Sequence, residues 1–348
     1  MKISFLIDSI SGMGGTERVT STLANAFSLY GYEVKIYTLE DENENEGIFY
    51  PLADNIRVYY ETGNKFIRLF RFLRLIKKNA ESCIVISMGR LSFETACINL
   101  LLKNKLIIAE HGSFSSLNKA VRVIKSFSFF ISHKVVLLTR YDHQFIKDEF
   151  PYIKNTYVVK NPNPFWSELP KYNKSFNERG NNAIAIGRFC SVKNFEALID
   201  IWNQADTKDW VLNIIGGGEL DNRIRQMAKQ SSKKINIIEP TNELGEIYNN
   251  SKLYLMTSFN EGLPMVLIES QSFGIPAISY DCDSGPREVI RHNETGYLIE
   301  VDNDHEFIHK INEFISSPNI AKLLSDNSLK CSREYSPEQI INQWVKII

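Results

Sequence analysis

The sequence carries almost no excess charge: 40 lysines and arginines stand against 41 aspartates and glutamates, a net charge of -1 over 348 residues. That balance gives no ground for a nucleic-acid partner, and none is expected. Cysteine is scarce: Cys83, Cys97, Cys190, Cys282 and Cys331 are odd in number, scattered and without a CxxC pair. This suits a reducing cytosol better than a disulfide framework. The sequons at Asn173, Asn249 and Asn293 are then incidental. No apolar run approaches the ~18 residues of a membrane span. Residues 1–7 have one lysine but no long apolar core or small-residue cleavage site, so they read as a strand rather than a signal peptide. No fixed-period repeat is present. With 43% hydrophobic and 23% charged residues, disordered, collagenous and coiled-coil classes are excluded too.

What remains is a globular chain too long for one ordinary core, and a division into two domains flanking a cleft is expected. Apolar runs alternate with helix-period stretches from end to end, the signature of parallel sheets with helices on both faces. The first half offers strands at residues 3–7, 34–39, 56–60, 84–87, 106–109, 135–139 and 157–159. The second offers 183–186, 211–215, 235–238, 253–256 and 276–279. Residues 161–180, with Pro162, Pro164 and Pro170, read as an interdomain linker, and residues 41–46 as an acidic loop.

Several motifs tempt. Gly12 and Gly14 follow the first strand and Glu40 ends the second, nearly a dinucleotide fingerprint, but Glu17 stands where the third glycine belongs. What survives is a glycine-rich turn feeding a helix N-terminus, either an anion site or merely a tight turn. His305, Glu306 and His309 spell HExxH, yet Phe307, Ile308, Ile311, Phe314 and Ile315 cluster on the opposite side, so the histidines are expected to face solvent rather than zinc. Asp281 with Asp283, and Asp302 with Asp304, form DxD pairs that read as solvated or capping carboxylates; no metal is expected. Glu261 in a loop and Glu269 on the second turn of a helix opened by Pro264 suit sugar hydroxyls better than bond cleavage.

The strand ends of the second half carry a coherent set. Gly187, Arg188, Lys193 and Asn194 follow its first strand, Gly216, Gly217, Gly218 and Glu219 its second. Ser258 to Pro264 follow the fourth, Asp281 to Pro286 the fifth. In an open parallel sheet these positions line one crevice. Two cations, a triglycine turn and two carboxylates there fit a phosphorylated, hydroxyl-rich ligand, best a nucleotide sugar.

The segments GRFCSVKN, GGGE, SFNEGLPMVLIE and DCDSGPRE, with GGTERV and EHGS in the first half, resemble retaining glycosyltransferases of the GT-B fold, and family 4 in particular. The likeness spans nearly the whole chain. It implies an α/β architecture of two doubly wound Rossmann-like domains facing a central cleft. Residues 1–165 would bind acceptor and residues 166–336 the nucleotide sugar, with a last helix at 337–348 crossing back to the first domain. The DCxxGPxE stretch is similar to members that add hexoses or N-acetylhexosamines to lipid-diphosphate-linked glycans in bacterial O-antigen, capsule or exopolysaccharide synthesis. By position the resemblance gives Arg188 and Lys193 the donor diphosphate, of a UDP-sugar, and Glu269 the ribose hydroxyls. Glu261 with Gly262 and Leu263 would hold the transferred sugar beside Asn260, Gly217, Gly218 and Glu219. Gly14, Gly15 and Thr16 would approach donor phosphate or acceptor, and His111 the sugar. On its residues alone, His111 reads equally as a structural histidine bonded to backbone.

The chemistry is coherent without the label. Breaking a sugar C1 to diphosphate bond builds charge on the leaving phosphate, and fixed cations stabilise that transition state more than the ground state. No cofactor is expected, and Arg188 and Lys193 would substitute for a metal. Retention by same-face attack, the departing phosphate oxygen taking the acceptor's proton, is implied by the family. A GT-B-like nucleotide-sugar epimerase and a noncatalytic partner protein are the rival readings.

Residues 64–78 read as a helix in which Lys65, Arg68, Arg71, Arg74, Lys77 and Lys78 meet no acid. Phe66, Leu69, Phe70, Phe72, Leu73 and Ile76 gather on one side and most of the cations on the other. The pattern suits a helix lying in an anionic membrane surface, the alternative being a core-packed helix with a solvated basic face. A cytoplasmic enzyme, peripheral on the inner face of the membrane and acting on a lipid-linked glycan, is the expectation.

Overall fold

Strands covered on both faces need not alternate in polarity, and the inner strands here do not. In the first unit β4 (Ser82–Ser87) and β5 (Leu106–Glu110) are buried at every residue. They are flanked by β1 (Lys2–Ile7), β2 (Glu33–Thr38) and β6 (Lys134–Leu137). The edges are the short β3 (Arg57–Tyr59) and β7 (Thr156–Val158). The order is β3-β2-β1-β4-β5-β6-β7, with every pair parallel. The computed structural model describes residues 1–12, 14–40, 47–241 and 243–348, so the acidic stretch 41–46 lies outside the described residues.

Helix α1 (Gly15–Leu29) follows β1, and α2 (Lys65–Lys78), α3 (Leu91–Leu102), α4 (Lys119–Ile131) and α5 (Arg140–Glu149) precede β4 to β7 in turn. Leu69, Phe72, Leu73 and Ile76 of α2, Leu91 and Ala96 of α3, Phe129 of α4 and Ile146 of α5 share one core with Leu6, Val85, Ile108 and Val135 of the strands. Those four helices therefore form one layer on one face of the sheet. Asn64 caps α2 and Asn118 caps α4, each side chain accepting a backbone N–H of the first turn at 2.9 and 3.0 Å.

The second unit has β8 (Asn182–Ile186), β9 (Val211–Ile215), β10 (Ile235–Ile238), β11 (Leu253–Met256), β12 (Ala277–Tyr280) and β13 (Gly296–Ile299), in the order β10-β9-β8-β11-β12-β13. Its ladders are parallel as well. Its helices are α6 (Phe195–Gln204), α7 (Asp221–Gln230), α8 (Leu244–Asn249), α9 (Met265–Ser272), α10 (Pro286–Val289), α11 (Asp304–Ser316) and α12 (Pro318–Cys331). Trp202, Leu212, Leu255, Ile278, Phe307 and Ile311 sit in its core. Both sheets reverse strand order beside a central strand, the doubly wound arrangement expected from the alternating pattern.

The chain divides into Met1–Pro164 with Tyr335–Ile348, and Phe165–Glu334. The returning segment holds α13 (Pro337–Val345), whose Trp344 ring meets Phe27 of α1 edge-on at 6.3 Å. The division at 164/165 falls inside the proline-bearing stretch 161–180 read as the linker, and the rest of that stretch packs on the second unit. Phe165 packs on Tyr248 and Phe273 at 5.8 and 5.5 Å, and Arg179 donates to the Phe273 carbonyl at 2.6 Å. The aromatics of this stretch outweigh its prolines, and most of it is stapled to the second unit. No helix among the described residues is long and apolar enough to cross a membrane.

Candidate active site

At the carboxyl edge of the second sheet, β8 and β11 are neighbours from which the chain leaves in opposite directions, the point where such sheets hold ligands. The loop after β8 is stitched to both neighbours. Phe189 N–H donates to the Gly217 carbonyl at 2.9 Å, and Leu220 N–H to Phe189 at 3.0 Å. On the other side Phe259 N–H donates to Val192 at 2.9 Å, and Thr257 Oγ1 to Asn194 at 2.8 Å. These bonds bring Lys193, on a 3₁₀ turn, to Glu261: Nζ donates to Oε1 at 2.6 Å. Lys193 is partly exposed and Glu261 nearly buried, so the ammonium faces outward on a fixed carboxylate. Arg188 is exposed, its stem beside Gly218.

Gly218 has φ +155°, and a Cβ there would lie 2.7 Å from the Phe189 carbonyl oxygen. Gly216 has φ +156°, and its Cβ would overlap the Gly187 carbonyl. Only glycine satisfies both, so the triglycine turn is dictated by backbone approach. Gly285 likewise lets the loop after β12 close on the Gly262 carbonyl and Pro264. Asn260, Glu219 and Gly218 are exposed along this edge, while Leu263 is buried behind it. Glu269, on α9, has no solvent exposure and accepts the Tyr248 hydroxyl at 2.9 Å. Nothing local in the sequence marks Tyr248, 21 residues away, as the partner of this carboxylate.

The other motifs are spent elsewhere. Arg287 grips Asp281 through two bonds of 2.9 and 2.7 Å, Asp304 accepts the Tyr280 hydroxyl, and Asp283 and Asp302 are exposed. Among the described residues no three His, Cys, Asp or Glu side chains converge as a metal site. His305 and His309 lie on the solvent face of α11. Burial pushes the Cys282 thiol up to about 12, which removes it as a nucleophile.

The carboxyl edge of the first sheet has the opposite electrostatic character. Gly14 precedes α1 with no side-chain cap, and Gly14 and Gly15 are exposed. Glu17, in the first turn of α1, accepts the Thr16 hydroxyl at 2.8 Å, and its carboxylate lies against Gly12 and Gly14. The helix end thus carries its own anion. Glu40 turns back onto the β1–α1 loop, accepting the Ser9 and Ser11 hydroxyls and the Ile10 and Ser11 N–H groups at 3.0 and 3.3 Å. Desolvation pushes this carboxyl up, but those bonds outweigh it and hold it below the usual range. A glutamate committed to the loop cannot serve a dinucleotide ribose, which disposes of the fingerprint reading. Nothing local in the sequence marks either carboxylate as a loop clamp.

His111 directly follows β5, its N–H donating to the Ser87 carbonyl at 2.9 Å. Its ring is nearly buried, Nε2 has no hydrogen-bond partner, and desolvation lowers its pKa to about 4. A buried ring nitrogen without a partner is unusual, and it argues against His111 serving only as a structural anchor bonded to backbone.

On α2 the structure corrects the expected division of faces. Only Leu69, Phe72, Leu73 and Ile76 enter the core; Phe66 and Phe70 are 56% and 39% exposed, among the cations. The buried arc is narrower than the apolar stripe because α3 and the sheet cover only one side. Acids from other elements also meet this helix: Lys65 pairs with Asp8 and Glu94 at 3.0 and 2.8 Å, and Arg71 with Glu61 at 3.0 Å. Lys77 donates to the Leu102 carbonyl, Arg68 to the Glu61 carbonyl at 3.3 Å, and Arg74 is exposed.

Known proteins repeat this architecture. The chain is 34% identical to the amylovoran biosynthesis glycosyltransferase AmsD of Erwinia amylovora, over 100% of this chain and 99% of that one. It is 25% identical, over 100% and 98%, to a Campylobacter jejuni alpha-1,4-N-acetyl-D-galactosaminyltransferase named for an undecaprenol-diphosphate-linked glycan. In fold it superposes on S. aureus TarM, solved with UDP, with TM-score 0.84 at 13% identity, covering 99% of each chain. The two-sheet fold is that of GT-B proteins. Residues 170–330, holding the whole Lys193–Glu261 edge, match the family model described as Glycosyl transferases group 1. With full-length kinship to AmsD beside that match, the chain belongs to the group 1 glycosyl transferases and is a glycosyltransferase.

Proposed function

We propose that this glycosyltransferase, of family 4 within that group, moves a hexose or N-acetylhexosamine from a UDP-sugar to a lipid-diphosphate-linked glycan, with retention of configuration, in surface-polysaccharide synthesis. The observation that carries the reading is the Lys193–Glu261 pair of 2.6 Å, held beside Arg188 and the glycine turn. Two cations at one loop match a diphosphate, and fixed positive charge favours the leaving group as its charge develops. Glu261 keeps Lys193 oriented before donor arrives. The donor's oxygens then compete for the ammonium, and the carboxylate becomes available to sugar hydroxyls. Glu269, fixed by Tyr248, is assigned the ribose. The reaction then needs no divalent cation.

On the first unit, a carboxylate at the start of α1 disfavours phosphate, so Gly14, Gly15 and Thr16 are assigned to the neutral glycan acceptor. His111, uncharged at neutral pH, is assigned a sugar hydroxyl. The cations Lys65, Arg68, Arg71, Arg74 and Lys77 are assigned the acceptor's diphosphate and anionic lipid, which places the enzyme peripherally at the cytoplasmic face of the membrane. Support comes from the glycan-synthesis names of the AmsD and C. jejuni relatives.

The test is a thermal-shift screen of UDP-, GDP- and ADP-sugars, followed by incubation of the best binder with lipid-diphosphate acceptors and assignment of the new anomeric centre by NMR. A UDP-sugar should stand out, since stabilisation follows affinity for the folded state. Transfer with inverted configuration, or donor cleavage without an acceptor product, would contradict the proposal. Full activity of a variant with Arg68, Arg71 and Arg74 changed to glutamate would remove α2 from acceptor binding.

A further inference from the structure

Helix α4 is amphipathic in the wrong direction. Its inward arc carries Lys125, Ser126 and Ser128, all buried, with Phe129. Its outward arc carries Val123, Ile124, Phe127 and Phe130, which are 52%, 49%, 46% and 57% exposed. At ~100° per residue, Lys119, Phe130, Val123, Phe127, Ala120, Ile131 and Ile124 follow one another around ~140° of the helix, and Lys119 is the one charge among them. The inversion is fixed from inside: Lys125 Nζ donates to Glu110 at 2.6 Å, both side chains at most 4% exposed. A register shift bringing Phe127 inward would strand that pair, and an uncompensated buried charge is costly.

The neighbour in the same layer continues the surface. Helix α3 exposes Leu100 and Leu101 at its end, the latter 79% exposed, and its Phe93 ring lies 6.5 Å from Phe127. Beyond it α2 adds the outward Phe66, Ile67 and Phe70. Scattered apolar side chains need no explanation, but a patch spanning three adjacent helices does. Its rim is basic: Lys77, Lys78, Lys103, Lys105 and Lys119 are exposed around it. Across α2, α3 and α4 the one acid is Glu94, which Lys65 holds at 2.8 Å.

We propose that the outward faces of α3 and α4 enter an anionic lipid bilayer, with Phe127 and Phe130 as the anchoring aromatics and the surrounding lysines on the headgroups. An apolar centre with a rim of exposed lysines is complementary to such a surface. A second copy of the chain is not: a two-fold interface sets each patch against itself and would bring cation against cation. The inference deepens the membrane reading given above and rests on it. It differs in assigning the apolar contact to α3 and α4 and the headgroups to the rim lysines, Lys77 and Lys78 of α2 among them, leaving Lys65, Arg68, Arg71 and Arg74 to the acceptor.

The experiment uses the full chain carrying Phe127→Trp or Phe130→Trp, mixed with phosphatidylglycerol vesicles containing brominated acyl chains. Quenching beyond that of the wild-type tryptophans, absent with phosphatidylcholine vesicles, is expected. Ile124→Glu and Phe127→Glu, both on exposed sites, should each weaken flotation with phosphatidylglycerol vesicles about tenfold. The same variants should leave transfer onto a short-chain, water-soluble acceptor diphosphate unchanged. Flotation that persists in both glutamate variants, without extra quenching, would overturn the assignment in favour of α2. A concentration-dependent dimer in gel filtration, abolished by Phe127→Glu, would overturn it in favour of a second copy. Absence of any transfer by the wild type would count against the proposed reaction while leaving the quenching result standing.

Discussion

The two sheets end in loops built on the same plan and charged in opposite ways. After β9, glycines with positive φ bring the backbone close to the loop after β8, which carries Arg188 and Lys193. After β1, glycines again open a helix, but Glu17 lies over them and Glu40 is bound beneath. A glycine turn at a helix N-terminus therefore does not make a phosphate site by itself. The side chain that shares the turn decides which ligand is welcome, and under the proposed reaction that criterion assigns the donor diphosphate to the second unit.

The strongest way to break this contrast is to remove its cations. Lys193→Ala and Arg188→Ala should each lower turnover ten- to a thousand-fold, about 1.4 to 4 kcal/mol of lost transition-state stabilisation. Near-normal kcat in either folded variant would erase that residue's role.

His111 sharpens the contrast through pH. Its folded-state pKa near 4 lies below the ordinary 6.5, so between those values the unfolded chain binds more protons and stability falls as pH falls. The loss from this group should approach roughly 3 kcal/mol at pH 4 and then level off. Urea denaturation of wild type and His111→Gln across this range should show a shallower acid slope in the variant.

Glycine substitutions separate the two turns by rigidity. Gly218→Ala forces a side chain onto backbone at positive φ and should cost about 1 to 3 kcal/mol in denaturant midpoint. Gly14→Ala meets only the flexible end of Glu17 and should cost less than about 1 kcal/mol.

The smallest effects concern affinity. Glu269→Gln should weaken UDP binding about tenfold and Tyr248→Phe by a few-fold, both read by calorimetry, whereas Glu17→Gln should leave UDP affinity unaltered and raise the KM for acceptor. Weaker UDP binding in the Glu17 variant would move the phosphate back to the first unit.

Much of this was legible in residue order. Continuous apolar runs identified twelve strands to within two residues, because inner parallel strands are buried on both faces. They missed β13, which is four residues long and begins at Gly296, where a Cβ would overlap the Ala277 carbonyl. The strand-end set Arg188, Lys193 and Glu261 was legible because topology alone places such loops along one edge. What sequence could not supply were partners fixed by tertiary contact: Tyr248 on Glu269, Arg287 on Asp281, Lys125 on Glu110. Nor could period alone tell the buried arc of α2 from its wider apolar stripe, since the covered arc is set by neighbouring helices.

The central claim is that two side chains, rather than a metal, carry the leaving diphosphate. Its most direct test is the rate of sugar transfer to a lipid-diphosphate acceptor in excess EDTA, compared with magnesium and manganese. Equal turnover in all three, lost on Lys193→Ala, is the result expected. Transfer abolished by EDTA and restored by either cation would contradict it and return Asp281 and Asp283 to consideration.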